Sequence, residues 1–339
     1  MNPIVTEHSE LGKPPPFDPE ISFELRRQAA DVVTSLRAEE IPALRRRVEG
    51  QARPTNEQLE LKGDFVVTEH TAPARDGHPS VRLLACLPVG QLRATPALYW
   101  VHGGGMIVGS YRDDLYAVLD LARSIAAAVV SVEYRLAPEN PYPAPVEDCY
   151  TGLAWLHEHA ARLKINPAQI IIAGISAGGG LAAATALLAR DRSDIALAGQ
   201  MLLCPMLDDR NNSYSAVQMA GTGAWDRTAN ATGWHSLLGD DAGTEAVPSY
   251  AAPARETHPA SLPPTYLDVG SSETFRDENV AYANSIWRVG GDAELHVWPG
   301  GAHGFDGLAP AARLTHDAKE ARKRWLRRQF RRHSGWTSA

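Results

Sequence analysis

Apolar and polar residues follow two periodic patterns along the chain. Short apolar runs rich in β-branched and aromatic residues predict strands, and longer stretches with apolar residues three or four positions apart predict helices between them. From about Lys62 onwards the predicted strands are Phe65–Glu69, Val81–Leu87, Ala97–Val101, Ala128–Tyr134, Ile170–Ala173, Gly199–Cys204, Pro264–Val269 and Ala293–Trp298. The first two have no helix between them, which predicts an antiparallel hairpin. The alternation that follows predicts a mostly parallel, doubly wound α/β sheet with helices on both faces.

Two segments do not follow this alternation. Residues 1–55 contain a long helical pattern after a proline-rich lead, and residues 208–259 contain Trp225 and Trp234 between polar and glycine-rich stretches. We expect both segments to form a helical cap over a core made of residues 56–207 and 260–339, and the second segment to act as a mobile lid. The two tryptophans are then candidate substrate-pocket residues.

Composition and charge restrict the class of protein. No apolar run approaches the ~20 residues of a membrane-spanning helix, and the polar, acidic start does not resemble a leader, so we expect a cytoplasmic protein that does not bind membranes. A formal net charge of −7 argues against nucleic acid as a partner. Cys86, Cys149 and Cys204 are scattered singly, which favours buried thiols over disulfides or a thiolate zinc site.

The segment Lys319–His333 concentrates basic residues on an amphipathic helical pattern. Trp325, Leu326 and Phe330 share one face, and the arginines lie on the other. We interpret it as a terminal helix docked on the core, with membrane or partner binding as the less favoured alternative.

A candidate nucleophile lies in the run QIIIAGISAGGG, where an apolar strand gives way to glycines and then to an alanine-rich and leucine-rich helix. Such a corner places Ser176 on a strained turn, and the glycines two positions before and after it relieve Cβ clashes. The turn lifts the serine Oγ clear of the sheet. We therefore predict Ser176 as a nucleophile for acyl transfer.

A second glycine-rich motif follows the strand ALYWV. Gly103, Gly104 and Gly105, together with Ala177 after the nucleophile, offer backbone amides that can stabilise the negative oxygen of a tetrahedral intermediate. The alternative for such a loop is a nucleotide phosphate cradle, but the G-x-G-x-x-G spacing and a Walker lysine are both absent. We expect His102, which opens the motif, to brace the loop.

A serine nucleophile needs a base and a group that orients the base. His303 is the candidate base among twelve histidines, because PGGAHGF places it on a loop after the last predicted strand. Acids near the end of the strand TYLDV are Asp268, Glu273, Asp277 and Glu278. Asp268 falls within the strand, and Asp277 and Glu278 fall where the next helix begins. Glu273 remains on the connecting loop.

These motifs resemble those of the hormone-sensitive lipase family of α/β hydrolases, the bacterial family IV esterases. The residues that carry the resemblance are HGGG at 102–105, YRLAPE at 134–139, GISAGG at 174–179 and AHGF at 302–305. The resemblance implies an α/β hydrolase fold with an eight-stranded sheet and a cap. The chain has Ile175 where the family often has Asp, and ETFRDE where it often has D-P-L-x-D-E. That register places Glu273 at the family's catalytic acid and matches Asp277 to the family's later, structural Asp. Asp277 is kept as the alternative acid.

The combined prediction is a serine carboxylesterase that acts on small-molecule esters. Ser176 would attack the carbonyl, His303 would move the proton and Glu273 would orient the imidazole, with no metal or organic cofactor. The resemblance alone implies short to medium acyl chains and pairing of two copies through the last strand. A lipase or amidase could use the same triad. A non-catalytic small-molecule receptor is a further alternative, and the retained His303 argues against it.

Overall fold

The fold was obtained as a computed structural model that describes residues 12–332. The first eleven residues, which include the polar start of the predicted cap, and residues 333–339, which include His333, lie outside the described residues. Its eight strands are β1 Phe65–Ala72, β2 Val81–Pro88, β3 Thr95–Val101, β4 Ala128–Glu133, β5 Ile165–Ile175, β6 Gly199–Leu203, β7 Thr265–Gly270 and β8 Ala293–Trp298.

The eight strands form one sheet in the order β1-β2-β4-β3-β5-β6-β7-β8. β1 pairs antiparallel with β2, and β2 pairs antiparallel with β4, whereas the pairs from β4 to β8 are parallel. The predicted hairpin and the mostly parallel sheet are thus confirmed. β5 begins earlier than predicted, because polar residues and Pro167 hide its first half, and its pairing with β3 shifts register between Thr95 and Ala97.

Helices cover both faces of the sheet. The described helices are α1 Pro19–Arg27, α2 Ile41–Glu49, α3 Asn56–Leu59, α4 Leu115–Arg123, α5 Ala144–His159, α6 Ala177–Arg192, α7 Tyr214–Gln218, α8 Arg227–Leu238, α9 Arg276–Arg288, α10 Phe305–Leu308 and α11 Arg313–Arg332. Apolar residues of α4 and α11 pack on one face, and those of α5, α6 and α9 pack on the other. No helix among residues 12–332 is both long and apolar enough to cross a membrane.

The C-terminal helix docks on the sheet as its pattern predicts. Trp325, Leu326 and Phe330 are buried in the same core cluster as residues of β3 and β6. On its outer side Arg332 pairs with Asp292 at 2.8 Å. The basic residues of α11 are therefore largely surface groups on a docked helix.

The two segments that interrupt the alternation contact each other. The amide of Trp225 donates to the carbonyl of Val33 at 2.7 Å, and the amide of Asp226 donates to the carbonyl of Thr34 at 2.8 Å. The Thr232 hydroxyl donates to the carbonyl of Leu36 at 2.6 Å. The N-terminal segment is thereby joined to residues 208–259, far away in sequence.

Candidate active site

Ser176 lies at the corner between β5 and α6 with a left-handed φ of 58°. Glycines are required beside it because other backbone comes close. A Cβ on Gly174 would overlap the backbone of Gly178, and a Cβ on Gly178 would overlap the carbonyls of Val101 and His102. The strained serine conformation is typical of a nucleophile elbow at the carboxyl end of a central strand.

The structure brings Ser176, His303 and Glu273 together. Nε2 of His303 is 2.9 Å from Oγ of Ser176, and Nδ1 is 3.0 Å from Oε1 of Glu273. The amide of Gly270 donates to the other carboxylate oxygen of Glu273 at 2.9 Å. Because the carboxylate favours a proton on Nδ1, Nε2 is left to accept the serine proton. The three groups form a hydrogen-bonded chain that can generate a serine nucleophile.

The other acids near β7 bind elsewhere. Asp277, the alternative acid, accepts the amide of Ser215 and the Nε of Arg276, each at 2.7 Å. Asp268 accepts the Nε of Arg322 at 2.7 Å. Glu278 accepts the amide of Leu207, and burial raises the pKa of Glu278 well above its usual range. Among these acids, Glu273 is therefore the one that contacts the imidazole.

The glycine-rich loop after β3 lies beside the serine, because a Cβ on Gly103 would be 3.5 Å from the Cβ of Ser176. Gly104 and Gly105 have φ of 113° and 61°, and the carbonyl of Gly104 accepts the amides of Ile107 and Val108, each at 3.0 Å. The amides of Gly104, Gly105 and Ala177 donate to no other group among residues 12–332. Ala177 is the first residue of α6, whose opening amides have no partner within the helix. This arrangement leaves donors free for an oxyanion.

His102 braces the loop from within. Its Nδ1 lies 2.8 Å from the carbonyl oxygen of Gly103, and its ring stacks on Tyr134 with centroids 4.2 Å apart. The Tyr134 hydroxyl donates to the carbonyl of His102 at 2.9 Å. Burial lowers the pKa of His102 to about 4, so the ring is neutral at pH 7. The ring is thus part of the fold beneath the oxyanion amides.

A cavity of about 830 Å³ opens above Ser176. Its floor includes Ser176, His303 and the glycines of the loop, and its roof includes residues 51–54, Val48 and Trp225. Of the two predicted pocket tryptophans, Trp225 thus lines this cavity and Trp234 does not. Trp234 is fully buried in the main core cluster, because the face of α8 that carries it packs inward. The sequence-based assignment of Trp234 to the pocket was wrong.

Cys204, Glu273 and His303 form a cluster whose possible ligand atoms lie within 4.8 Å of one another. A thiol binds metal as the thiolate. Burial and the neighbouring acids Glu273 and Asp306 raise the pKa of Cys204 well above its usual range. The imidazole and carboxylate already bind each other, so the cluster fits a protonated thiol packed beside the triad better than a metal centre.

An anchor for the His303 loop was not predicted from the sequence. Arg322 on α11 forms ion pairs with Asp268 of β7 and with Asp306, which follows His303 in α10. Arg322 and Asp306 are buried, and the guanidinium contributes to lowering the pKa of Asp306. The position of Asp306 just after AHGF was the available signal, but its partner is remote in sequence.

Comparison with known proteins agrees with this geometry. The family described as having an alpha/beta hydrolase fold matches residues 98–307. The chain belongs to the α/β hydrolase family. Esterase LipI of Mycobacterium tuberculosis is 32% identical over 222 residues, 64% of this chain and 68% of that protein. Carboxylesterase NlhH of the same species is 33% identical over 224 residues, 64% and 69% of the two chains.

Solved structures extend the similarity over nearly the whole chain. A bacterial heroin esterase superposes with a TM-score of 0.83 at 33% identity, covering 92% of this chain and 98% of that one. Esterase LipW of Mycobacterium marinum superposes with a TM-score of 0.81 at 30% identity, covering 95% of this chain and 99% of that one. The resemblance to the hormone-sensitive lipase family is confirmed, and within the α/β hydrolase family this chain is a carboxylic ester hydrolase.

Proposed function

We propose that this α/β hydrolase cleaves short- to medium-chain acyl esters of small molecules through an acyl-enzyme on Ser176. The observation that carries the proposal is the hydrogen-bonded chain from Oγ of Ser176 through His303 to Glu273. His303 takes the serine proton as Oγ attacks the ester carbonyl, and it returns that proton to the leaving alcohol. Water, activated by the same imidazole, then releases the acid.

The free amides support the same chemistry. Gly104, Gly105 and Ala177 offer donors beside the serine, and removal of one such donor typically costs about 10²–10³ in kcat. Gly103, the third loop glycine predicted for the oxyanion site, is also closely packed, because a Cβ there would lie 3.2 Å from the carbonyl oxygen of Ile175. The roof residue Trp225 packs its indole over Gly105 and limits the length of acyl chain above the serine.

The experiment is to mix the enzyme with an activated acetyl ester and quench within the first turnover. We expect a burst of alcohol and an acetyl group on the peptide that contains Ser176, identified by mass spectrometry. A His303→Ala variant should slow the burst severely. Alcohol release without an acetylated serine would contradict the mechanism, and absence of any turnover would favour the receptor alternative. Esters from acetate to hexadecanoate and the matching amides then separate an esterase from a lipase or an amidase.

We also propose a homodimer formed through the edge of the sheet. β8 is the last strand in the sheet order, and nearby Val297, Trp287 and Val289 are exposed. An exposed edge strand is a template for pairing with a second chain. Light scattering after gel filtration tests the mass, and a Val297→Lys variant should shift a dimer towards monomer.

We further propose that the enzyme works in the cytoplasm. The three cysteines are all buried and unbridged, as expected where thiols stay reduced. Fractionation of cells that carry the tagged native protein tests the location.

A further inference from the structure

A narrow slot opens from the catalytic cavity between α4 and α11. Its volume is about 60 Å³. Seven residues line both the slot and the wide cavity, namely Asp114, Ala117, Asp120, Ile175, Asp306, Gly307 and Lys319. The apolar lining residues come from three strand ends and one side of α4: Trp100, Ile175, Leu203, Ala117, Val118 and Leu121. Ile175 directly precedes the nucleophile, so the slot begins beside the reacting atoms.

The size of the slot restricts what it can hold. A cavity of about 150 Å³ is known to bind benzene, and this slot has less than half of that volume. An aromatic ring therefore does not fit, whereas an alkyl group of about two to four carbons does. Burial of such a group removes apolar surface from water, which favours binding.

The position of the slot favours the alcohol half of an ester. His303 donates its proton to the leaving oxygen, so the alcohol departs on the imidazole side of the serine. Asp306 and Gly307, which follow His303 closely in sequence, line the slot. None of the oxyanion glycines is among its described lining residues, and neither is Trp225. The acyl half is then left to the wide cavity under the roof.

Charged groups also line the slot and restrict the length of chain that it can hold. Asp114, Asp120 and Lys319 line both the slot and the wide cavity, whereas Arg322 and Lys323 line the slot alone. An alkyl chain too long for the apolar part of the slot would cover these groups and remove water from them, which costs free energy. The slot therefore suits a short, neutral alkyl group.

On the basis of the proposed esterase function, we propose that the slot is the alcohol subsite and selects esters of short, unbranched primary alcohols. Ile175, Ala117 and Leu121 are then specificity-determining residues. The apolar residue at 175, where the resembling family often has Asp, supplies one wall of this subsite.

The test uses two ester series and three variants. In the first series acetate is esterified with methyl, ethyl, propyl, butyl, hexyl and phenyl alcohols, and in the second the ethyl ester carries acetyl to octanoyl chains. Ala117 is exposed on α4, so Ala117→Leu can fill the slot without displacing a core residue. Leu121→Ala enlarges the slot, and Ala161→Leu is the matched control at an exposed alanine outside both cavities.

We expect wild-type kcat/KM to rise from methyl to propyl or butyl acetate and to fall at hexyl. Ala117→Leu should lower the propyl-to-methyl ratio by about tenfold, since one methylene in an apolar pocket is worth at least that factor. Because Ala117 also lines the wide cavity, the ratios within the acyl series should change by much less than the propyl-to-methyl ratio. Leu121→Ala should move the alcohol optimum to longer chains, and Ala161→Leu should change neither profile.

Other outcomes overturn the assignment. If Ala117→Leu changes the acyl ratios more than the alcohol ratios, or lowers kcat/KM equally for every alcohol, the slot is not the alcohol subsite although the esterase function stands. If wild-type enzyme cleaves no ester of either series, both proposals fail. Thermal melting of Ala117→Leu separates loss of fold from loss of fit. If Leu121→Ala does not fold, the alcohol and acyl profiles of Ala117→Leu alone still test the assignment of the slot.

Discussion

The floor and the roof of the catalytic cavity are built differently. The floor depends on backbone: Gly103, Gly104 and Gly105 line it, and a Cβ on Gly104 or on the glycines around Ser176 would overlap another main chain. The roof depends on side chains such as Val48 and Trp225, from segments joined by a few hydrogen bonds. A substitution in the floor should therefore affect every substrate alike, whereas one in the roof should change which substrate is preferred.

The largest effect should come from Ser176. Ser176→Ala removes the Oγ that we propose as the nucleophile, and loss of a catalytic serine from a triad costs about 10⁶ in kcat. The measurement is kcat for propyl acetate, with circular dichroism as the check on folding. Turnover within tenfold of wild type would show that another group attacks the ester.

The next effect separates two acids that are close in sequence. Glu273→Gln should lower kcat by about 10⁴, because the amide disturbs the imidazole tautomer. Asp277→Asn, which alters a contact to Ser215 instead, should cost less than tenfold. The kcat values of the two variants are compared after correction for the fraction of each protein that is folded. The reverse pattern would make Asp277 the catalytic acid.

A third prediction concerns Gly105, where floor and roof touch. A Cβ there would overlap the Trp225 indole, and φ is 61°, so Gly105→Ala should lower kcat by about 10²–10³ through a displaced oxyanion amide. Gly12→Ala, with open space around the added methyl, is the control. The double variant with Trp225→Leu separates the causes. Recovery of most of the rate would assign the loss to the clash with the roof instead of to backbone strain.

Trp225→Leu alone should act on specificity. The indole N–H has no partner among the described residues, so its removal leaves no acceptor unpaired. We expect the ratio of kcat/KM for an octanoate ester to that for an acetate ester to rise about tenfold, because the smaller side chain leaves room for more methylene groups under the roof. Trp287→Leu, at an exposed tryptophan outside the cavity, is the control. An unchanged acyl-chain profile would show that Trp225 does not determine which acyl chain is preferred.

The smallest effect should appear where the core chain enters the second segment. Glu278 accepts the amides of Leu207 and Asp208, and its pKa is raised by burial and by Asp208. A raised carboxyl pKa stabilises the fold below the unfolded pKa, and that stability is lost as pH rises towards the folded pKa. Glu278→Gln avoids this loss, so its Tm should exceed that of wild type by about 2 °C more near pH 8.5 than near pH 5.5. An equal difference at both pH values would contradict the buried carboxylate.

The sequence predicted the floor better than the roof. Ser176 and the glycines follow strands with clear apolar runs, and His303 follows the last predicted strand. Parallel strands place their carboxyl ends at one edge. Glu273 could be chosen because the other acids have places in a strand or a helix start. The structure brings these residues to the edge that their positions predict, while their catalytic roles stay predictions for the variants above.

The roof and the slot depend on packing between remote segments, for which no local pattern exists. Trp234 and Trp225 lie in one polar and glycine-rich stretch, and the sequence did not show which of them would turn inward. The slot needs Ile175 and α4 to meet α11, and the Arg322 ion pairs that hold α11 there join residues far apart. Such contacts follow from the whole fold and not from spacing.

The anchor formed by Arg322 has a consequence for the order in which the enzyme is assembled. A ribosome makes the chain from its N-terminus, so Ser176, Glu273 and His303 are all synthesised before Arg322. The loop that carries the base is tied to β7 only when α11 has docked and Arg322 has met Asp268 and Asp306. A nascent chain that lacks α11 would therefore hold Ser176 without a fixed imidazole, and we expect hydrolysis to begin only after α11 has been made and has docked.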